Sequence, residues 1–240
     1  MVITPALPSE LLGYDRAITI FSPDGRLLQV EYARKTVEQG AITIGIVAKD
    51  GVVLIADKRI FEKLVVPESV EKIFQIDEHI GATMSGLISD GRVLVERAQE
   101  EAQRHRLIYD EPIRVIDVVK EICNIKQYYT QYAGTRPFGV SLLIGGVDGE
   151  PKLFLTEPSG IFYEYKATAV GENAEIAIKV LEDNYNEKLK IEDAIKLGIK
   201  AIKTALGNKF KKERIEIAVI PVDTKKFRKF RREEVENFVR

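Results

Sequence analysis

The sequence predicts an α+β fold in which two antiparallel sheets pack face to face with helix pairs outside them. Three observations carry this. Runs rich in β-branched residues come in pairs joined by short acidic or Asp-Gly turns, and long segments of 3.6 period also come in pairs. Strand groups and helix pairs follow one another in blocks, unlike the regular alternation of a parallel α/β fold. Several runs, 139–146 most clearly, are apolar at successive positions, so both faces of the sheets must be covered.

In chain order, residues 1–12 carry Pro5 and Pro8 and no apolar period, which marks an irregular arm ahead of one domain spanning 13–240. Ser22-Pro23-Asp24-Gly25 holds the preferred residues of a type I turn. Leu27, Val30, Ala33 and Val37 then recur at helical spacing, with Glu31 placed to pair with Lys35 and Gly40 suited to a left-handed cap, so a helix is expected over 26–39. Residues 41–48 and 52–57 form a hairpin around Lys49-Asp50-Gly51, and 73–76 with 80–84 a second that turns at Asp77-Glu78. Two long helices follow at 87–106 and 113–132, the first with a stripe of Leu87, Leu94, Ala98 and Ala102, the second with Ile116, Val119, Cys123 and then Ile125 or Lys126. Strands return at 138–147, 152–156 and 163–170, with Asp148-Gly149 as a turn. Helices at about 174–185 and 191–206, a strand at 215–222 and a short helix after Arg232 complete the chain.

Composition narrows the function. Of 240 residues 45% are hydrophobic, enough for one large core, and 36 basic against 37 acidic side chains leave a net charge of −1, with no global field for nucleic acid or an anionic membrane. The longest apolar stretch, 138–147, falls short of the ~20 residues a transmembrane helix needs. The start lacks the basic region of a signal peptide. A single cysteine, Cys123, fits a reducing compartment and reads as a small buried apolar residue, so a soluble cytoplasmic protein is expected.

Three local signals suggest chemistry without its parts. The strand at 80–84 leads through Gly86 to Gly91-Arg92 and a helix, in outline a phosphate loop, but it lacks the required Lys and Ser/Thr, and Asp90 would repel an anion there. His79 and His105 stand far apart with no cysteine pair, so neither metal nor cofactor is expected and both are read as surface residues. Lys225, Lys226, Arg228, Lys229, Arg231 and Arg232, interleaved with Phe227 and Phe230, are followed directly by Glu233, Glu234 and Glu236; a solvated strand edge and helix cap is preferred to a nucleic-acid surface.

The segment Tyr14-Asp-Arg-Ala-Ile-Thr-Ile-Phe-Ser-Pro-Asp-Gly-Arg-Leu-Leu-Gln-Val-Glu-Tyr-Ala33 closely resembles the signature that opens proteasome α-type subunits of the archaeal kind. Ala56-Asp-Lys-Arg59, Val70-Glu-Lys-Ile73, Ser85-Gly-Leu87, Tyr129-Thr-Gln-Tyr132, Arg136-Pro-Phe-Gly139 and Glu164-Tyr-Lys-Ala167 extend the resemblance over almost the whole chain. It implies the four-layer αββα sandwich of N-terminal-nucleophile hydrolases, in agreement with the element order above. The related β subunits are threonine peptidases, in which a first-residue Thr attacks and its own α-amine, of pKa about 7.7–8, takes the proton. At the matching position this chain has Ala41, with no hydroxyl and an acylated nitrogen. Thr43 follows as a half-buried strand residue. Asp57 and Lys72 fall where the acidic residue and lysine of the catalytic relatives lie, but charge partners without a nucleophile make no peptidase.

The resemblance therefore implies a non-catalytic subunit of the 20S core particle. Seven copies would form a homoheptameric outer ring on catalytic β subunits, admit unfolded protein substrates through a pore gated by the N-terminal arms, and receive the C-terminal tails of an AAA-type ATPase or other activator. Lys72 is expected to accept the tail carboxylate in a partly buried pocket between neighbours, lined by Gly25, Gly40 and Leu87, while Tyr14, Asp15, Pro23 and Tyr32 form the cluster that holds the gate open. The alternatives are a processed threonine peptidase starting at Ala41 or Thr43, which intact mass would reveal, and an RNA-associated protein, which steep salt dependence would reveal.

Overall fold

Hydrophobic alternation, followed strand by strand, accounts for the architecture. A computed structural model of the chain describes residues 17–59, 64–66 and 69–239; the arm expected at 1–12 lies outside them. The first hairpin pairs β1 (Thr43–Ala48) with β2 (Gly51–Asp57), its turn tightened to Lys49 and Asp50 because Gly51 already pairs with Ala48. With β8 (Ala167–Val170), β9 (Ile215–Pro221) and β10 (Arg228–Lys229) these strands make a five-stranded sheet of order β10-β9-β2-β1-β8. The second sheet is a meander of β3 (Ile73–Asp77), β4 (Ile80–Gly86), β5 (Val140–Val147), β6 (Pro151–Thr156) and β7 (Phe162–Glu164). All pairings are antiparallel.

In β2 the side chains of Val53 and Ile55 point one way and those of Val52, Leu54 and Ala56 the other, a period of two that buries both faces. Val53 and Ile55 join Ile44 and Ile46 of β1 beneath α4 (Ala174–Asn184) and α5 (Ile191–Leu206). Val52, Leu54 and Ala56 meet Leu143, Val147 and Leu153 of the second sheet. On that sheet's far side Val140, Leu142 and Ile144 pack against α2 (Ile88–Tyr109) and α3 (Val115–Tyr129). Three apolar layers thus separate four layers of structure, the αββα sandwich expected. Each Val, Leu or Ile so buried contributes about 1.5–3 kcal/mol. Helix α6 (Arg232–Val239) packs beside α5, and α1 (Leu28–Gln39) lies against β4 and β5.

Several local expectations are corrected. The run 163–170 is two strands: Tyr165 N–H still donates to Leu153 O of the second sheet (2.9 Å), whereas Lys166 O accepts from Val47 N–H of the first (2.7 Å), so the chain changes sheets between one residue and the next. Gly40 is extended, with φ −65° and ψ 157°, and not a left-handed cap; glycine is needed for space, since a Cβ there would lie 2.3 Å from both Gly86 N and Ser85 Oγ. Gly25, by contrast, is left-handed at φ 74°, where the turn closes with Gly25 N–H donating to Ser22 O at 2.8 Å. Glu31 pairs backwards with Arg26, whose Nε donates at 2.7 Å, and not forwards with Lys35. His79 is buried under the α2–α3 connection, its Nε2 donating to Ile113 O at 2.8 Å, and His105 is half-buried against the Tyr109 ring. The basic run forms the expected strand edge, with Arg228 on Glu234 and Arg232 opening α6, but it is not wholly solvated: Lys229 is half-buried and reaches Glu216 as well as Glu71, and Phe227 and Phe230 pack against the core.

Lys126 is the deeper of the two residues left open on α3. It is 0% exposed, and Nζ donates to Thr156 Oγ1 (2.8 Å), Val140 O (3.0 Å) and Thr156 O (3.4 Å). Three acceptors match three ammonium donors and pin α3 to the start of β5 and the end of β6. Burial pushes its pKa down to about 7, against smaller upward pulls from Cys123 and Glu157. An unfolded lysine titrates near ~10.4, so from about 7 up to that value the unfolded chain binds more protons than the folded one. Stability should therefore rise with pH in this window, by up to about 1.4 kcal/mol per pH unit from this group, and the gain should vanish as pH falls through 7. Denaturant titrations should show a shallower rise for Lys126→Met than for the parent; parallel curves would mean that Lys126 does not titrate there.

Candidate functional site

Of the residues singled out by the sequence, Gly40, Ala41, Asp57 and Lys72 meet at the end of the first sheet where β1 begins, β2 ends and β9 begins. Helix α1 closes at Gln39, and its end is tied to the β4–α2 junction by Ser85 Oγ donating to Val37 O at 3.1 Å. Gly40 O accepts from Glu172 N–H at 2.8 Å, and Ala41 O accepts from Lys72 Nζ at 2.7 Å. One strand over, Asp57 N–H donates to Ile42 O at 3.0 Å, which fixes the Asp57 carboxylate at the same edge.

Asp57 is 0% exposed and paired with Arg214, whose Nε donates to Oδ1 at 2.8 Å while the guanidinium also holds Oδ2. Arg59 and Lys209 both contact Glu172, Lys209 at 2.7 Å. Lys72 is 2% exposed, more deeply buried than a half-open docking pocket would require. Burial pushes its pKa down to about 7, with Asp57 and Glu216 pulling up and Arg59 and Arg214 pushing down. Thr43 is fully buried, not half-buried: its hydroxyl donates to Ile55 O at 3.0 Å and shares a 2.7 Å bond with Thr83 Oγ1 of the other sheet. That polar link across the sandwich leaves Thr43 no free face.

At the β4–α2 junction Leu87 falls outside the buried stripe, with 40% exposure, and its N–H donates to Gly139 O at 2.9 Å. Asp90 receives Arg136 at both oxygens, Nη2 to Oδ1 at 2.6 Å, and Gly139 N–H at 2.9 Å. Burial alone would raise the Asp90 carboxyl, but these hydrogen bonds outweigh it and hold it below its ordinary value. The segment shaped like a phosphate loop thus carries its own anion, already met by Arg136.

Of the expected pocket residues, Gly40 and Lys72 meet through Ala41, and Leu87 adjoins them through Gly86, which approaches Gly40. Gly25 stands apart in the turn before α1, with open space where a Cβ would be. Of the expected gate cluster, Pro23 is exposed on that turn and Tyr32 is 46% exposed on α1, while Tyr14 and Asp15 lie outside the described residues. The Arg26–Glu31 pair ties the turn to the first turn of α1.

This arrangement, a helix leading through Gly40 and Ala41 into β1, with a buried lysine on the Ala41 carbonyl and a buried aspartate one strand over, can be set against known proteins. A profile of the family described as proteasome subunit matches residues 37–220, and one describing the N-terminal signature of A-type proteasome subunits matches residues 14–35. The chain belongs to the proteasome α-subunit family. The proteasome alpha subunit of Methanosarcina acetivorans is 56% identical over 229 residues, covering 95% of this chain and 93% of its own length. Those of Pyrococcus abyssi and Archaeoglobus fulgidus, under the same name, are 53% and 52% identical, each covering 95% of this chain and, respectively, 87% and 93% of the relative. In this α-family chain no described helix is long and apolar enough to cross a membrane, and among the described residues no three His, Cys, Asp or Glu are grouped to hold a metal ion.

The sequence reading passed over Arg214, Glu172 and Glu216. For Glu216 a signal existed: it alternates with Ala218 and Ile220, which face the other sheet, so strand period alone puts a carboxylate on a buried face. Removing one partner of a buried ion pair strands the other, and Arg214→Met should cost about 3–5 kcal/mol. The drop is read from denaturant midpoints; a loss below about 1 kcal/mol, the range of a surface pair, would show that Asp57 does not depend on Arg214.

Proposed function

We propose that this chain is a non-catalytic subunit of the 20S proteasome core that works in the cytoplasm within a homoheptameric outer ring. Residues 13–240 build the ring, and residues 1–12 form the arm that obstructs its pore. Catalytic β subunits lie beneath, unfolded proteins are the cargo, and an AAA-type ATPase or other activator docks above. The observation that carries the non-catalytic reading is Ala41. It occupies the position of the threonine nucleophile, with Lys72 on its carbonyl, yet offers only a methyl group and a peptide nitrogen that cannot accept a proton. Asp57 is committed to Arg214, and the next hydroxyl along the strand, Thr43, is locked into the inter-sheet bond.

Docking rests on Lys72. Its ammonium has three donors, of which Ala41 O takes one. A carboxylate at the end of a partner's chain would meet a desolvated cation, where a charge-assisted hydrogen bond is stronger than a neutral one, on a stem long enough to swing away from Ala41. Gly40 and Leu87 border this position, and Gly25, apart from them within one chain, is assigned to the same pocket between neighbouring subunits. Ring symmetry brings identical arms to one axis, where together they obstruct a channel that no single arm could block. Tyr14, Asp15, Pro23 and Tyr32 then hold the displaced turn in the open state.

The purified chain should hydrolyse no fluorogenic peptide by itself, and threonine-peptidase turnover free of β subunits would overturn the non-catalytic reading. Assembled with β subunits, a chain lacking residues 1–12 should degrade long unstructured peptides faster than the full chain in the absence of activator, with short peptides cut equally. Equal rates on the long substrate would remove the gating role.

A further inference from the structure

Glu216 is a buried carboxylate that the docking role leaves unused. It stands on β9 opposite Ala56 of β2, 7% exposed, yet its hydrogen bonds leave its own sheet. Oε2 accepts from Lys72 N–H at 3.1 Å and from Ile73 N–H at 3.3 Å, where β3 enters the second sheet. Oε1 lies 2.9 Å from Lys58 Nζ and 3.0 Å from Lys229 Nζ. Lys229 Nζ also donates to Ile73 O at 3.2 Å. Two side chains of the first sheet therefore do for Ile73 what a neighbouring strand would, one taking its N–H and the other serving its C=O.

We propose that Glu216, clamped by Lys58 and Lys229, is a positioning residue for Lys72, fixing its backbone so that its ammonium is presented at Ala41 to a carboxylate-ended partner. This rests on the docking role of Lys72 given above. Lys72 stands immediately before β3, so holding the N–H groups of residues 72 and 73 sets the direction in which the Lys72 stem leaves the backbone. Charge acts in the same sense. The charged groups around Lys72 are Asp57 of β2, Arg59 just after it, Arg214 just before β9, and Glu216. Asp57 is committed to Arg214 and Arg59 contacts Glu172, whereas Glu216 lies against the Lys72 backbone itself and favours the ammonium over the neutral amine. A glutamine at 216 would keep one acceptor for the two N–H groups, lose the charge, and turn amide hydrogens toward a lysine ammonium.

The test uses full chains assembled with β subunits and, as probe, the last eight residues of an ATPase activator from the same organism, with a free or an amidated C-terminus. Glu216→Gln should weaken the free-acid peptide roughly tenfold, the worth of one charged hydrogen bond, leave the amidated peptide unchanged, and move the fall of binding with rising pH to lower pH. Glu216→Asp keeps the charge on a shorter stem, so its affinity should lie between parent and Glu216→Gln with the parental pH profile. Lys72→Ala should abolish the preference for the free acid. Loss of that preference in Lys72→Ala, with parental affinity and pH profile in Glu216→Gln, overturns the positioning role and leaves docking standing. A preference that survives in Lys72→Ala overturns docking and this inference together. Should Glu216→Gln fail to assemble by native mass spectrometry, parental affinity in Glu216→Asp is the overturning result.

Discussion

Neither face of β1, β2 or β5 can be left to water, and that constraint arranges everything else. A sheet apolar on both sides has to be covered twice, so two such sheets pack on each other through Leu54, Leu143 and Leu153 and take helices on their outer faces. The interior of the sandwich is then closed to polar groups except where they satisfy one another, as Thr43 and Thr83 do. Chemistry is pushed to the rim, where strands start and stop and where Gly40, Ala41, Asp57, Lys72 and Glu216 gather.

At that rim the buried charges act as fasteners. A buried ion is unfavourable unless partners replace its water, so each one specifies the elements that supply those partners. Asp57 requires the turn carrying Arg214, Glu216 requires the entry of β3 and the strand carrying Lys229, and Lys126 requires the ends of β5 and β6. Apolar layers alone would tolerate small slides of one sheet over the other; these contacts do not. The rim around Ala41 thus works as a structural joint.

Most of the fold was legible because turn chemistry and period are local. Asp50 beside Gly51, the Ser22 turn and the α2 stripe each declare their element within a few residues. The sheet change after Tyr165 was hidden because alternation runs through it unbroken, and nothing in a period of two says which sheet a strand belongs to. Lys126 on an apolar stripe looks like an interruption until its acceptors, on strands distant in sequence, are in place. Gly40 was recognised as necessary for the wrong reason, since crowding by Gly86 is a tertiary fact. At the candidate site, Lys72, Gly25, Gly40, Leu87, Pro23 and Tyr32 came from resemblance to a family and not from pattern, whereas Glu216 could have been found from alternation alone.

The strand order also governs the sequence of events at the ribosome. The β3-to-β7 meander is built from consecutive segments and can close as it emerges, but β1 and β2, complete by residue 57, are flanked in the finished sheet by β8 and β9, whose pairing residues begin at 167 and 215. At ordinary synthesis rates the early hairpin waits on the order of ten seconds with both edges unpaired. During that interval the open edges of two aliphatic strands can pair with another nascent copy. The newly made meander, laid over the inner face of the waiting hairpin, covers that face but neither edge, so the hairpin is closed to other strands only when β8 and β9 arrive.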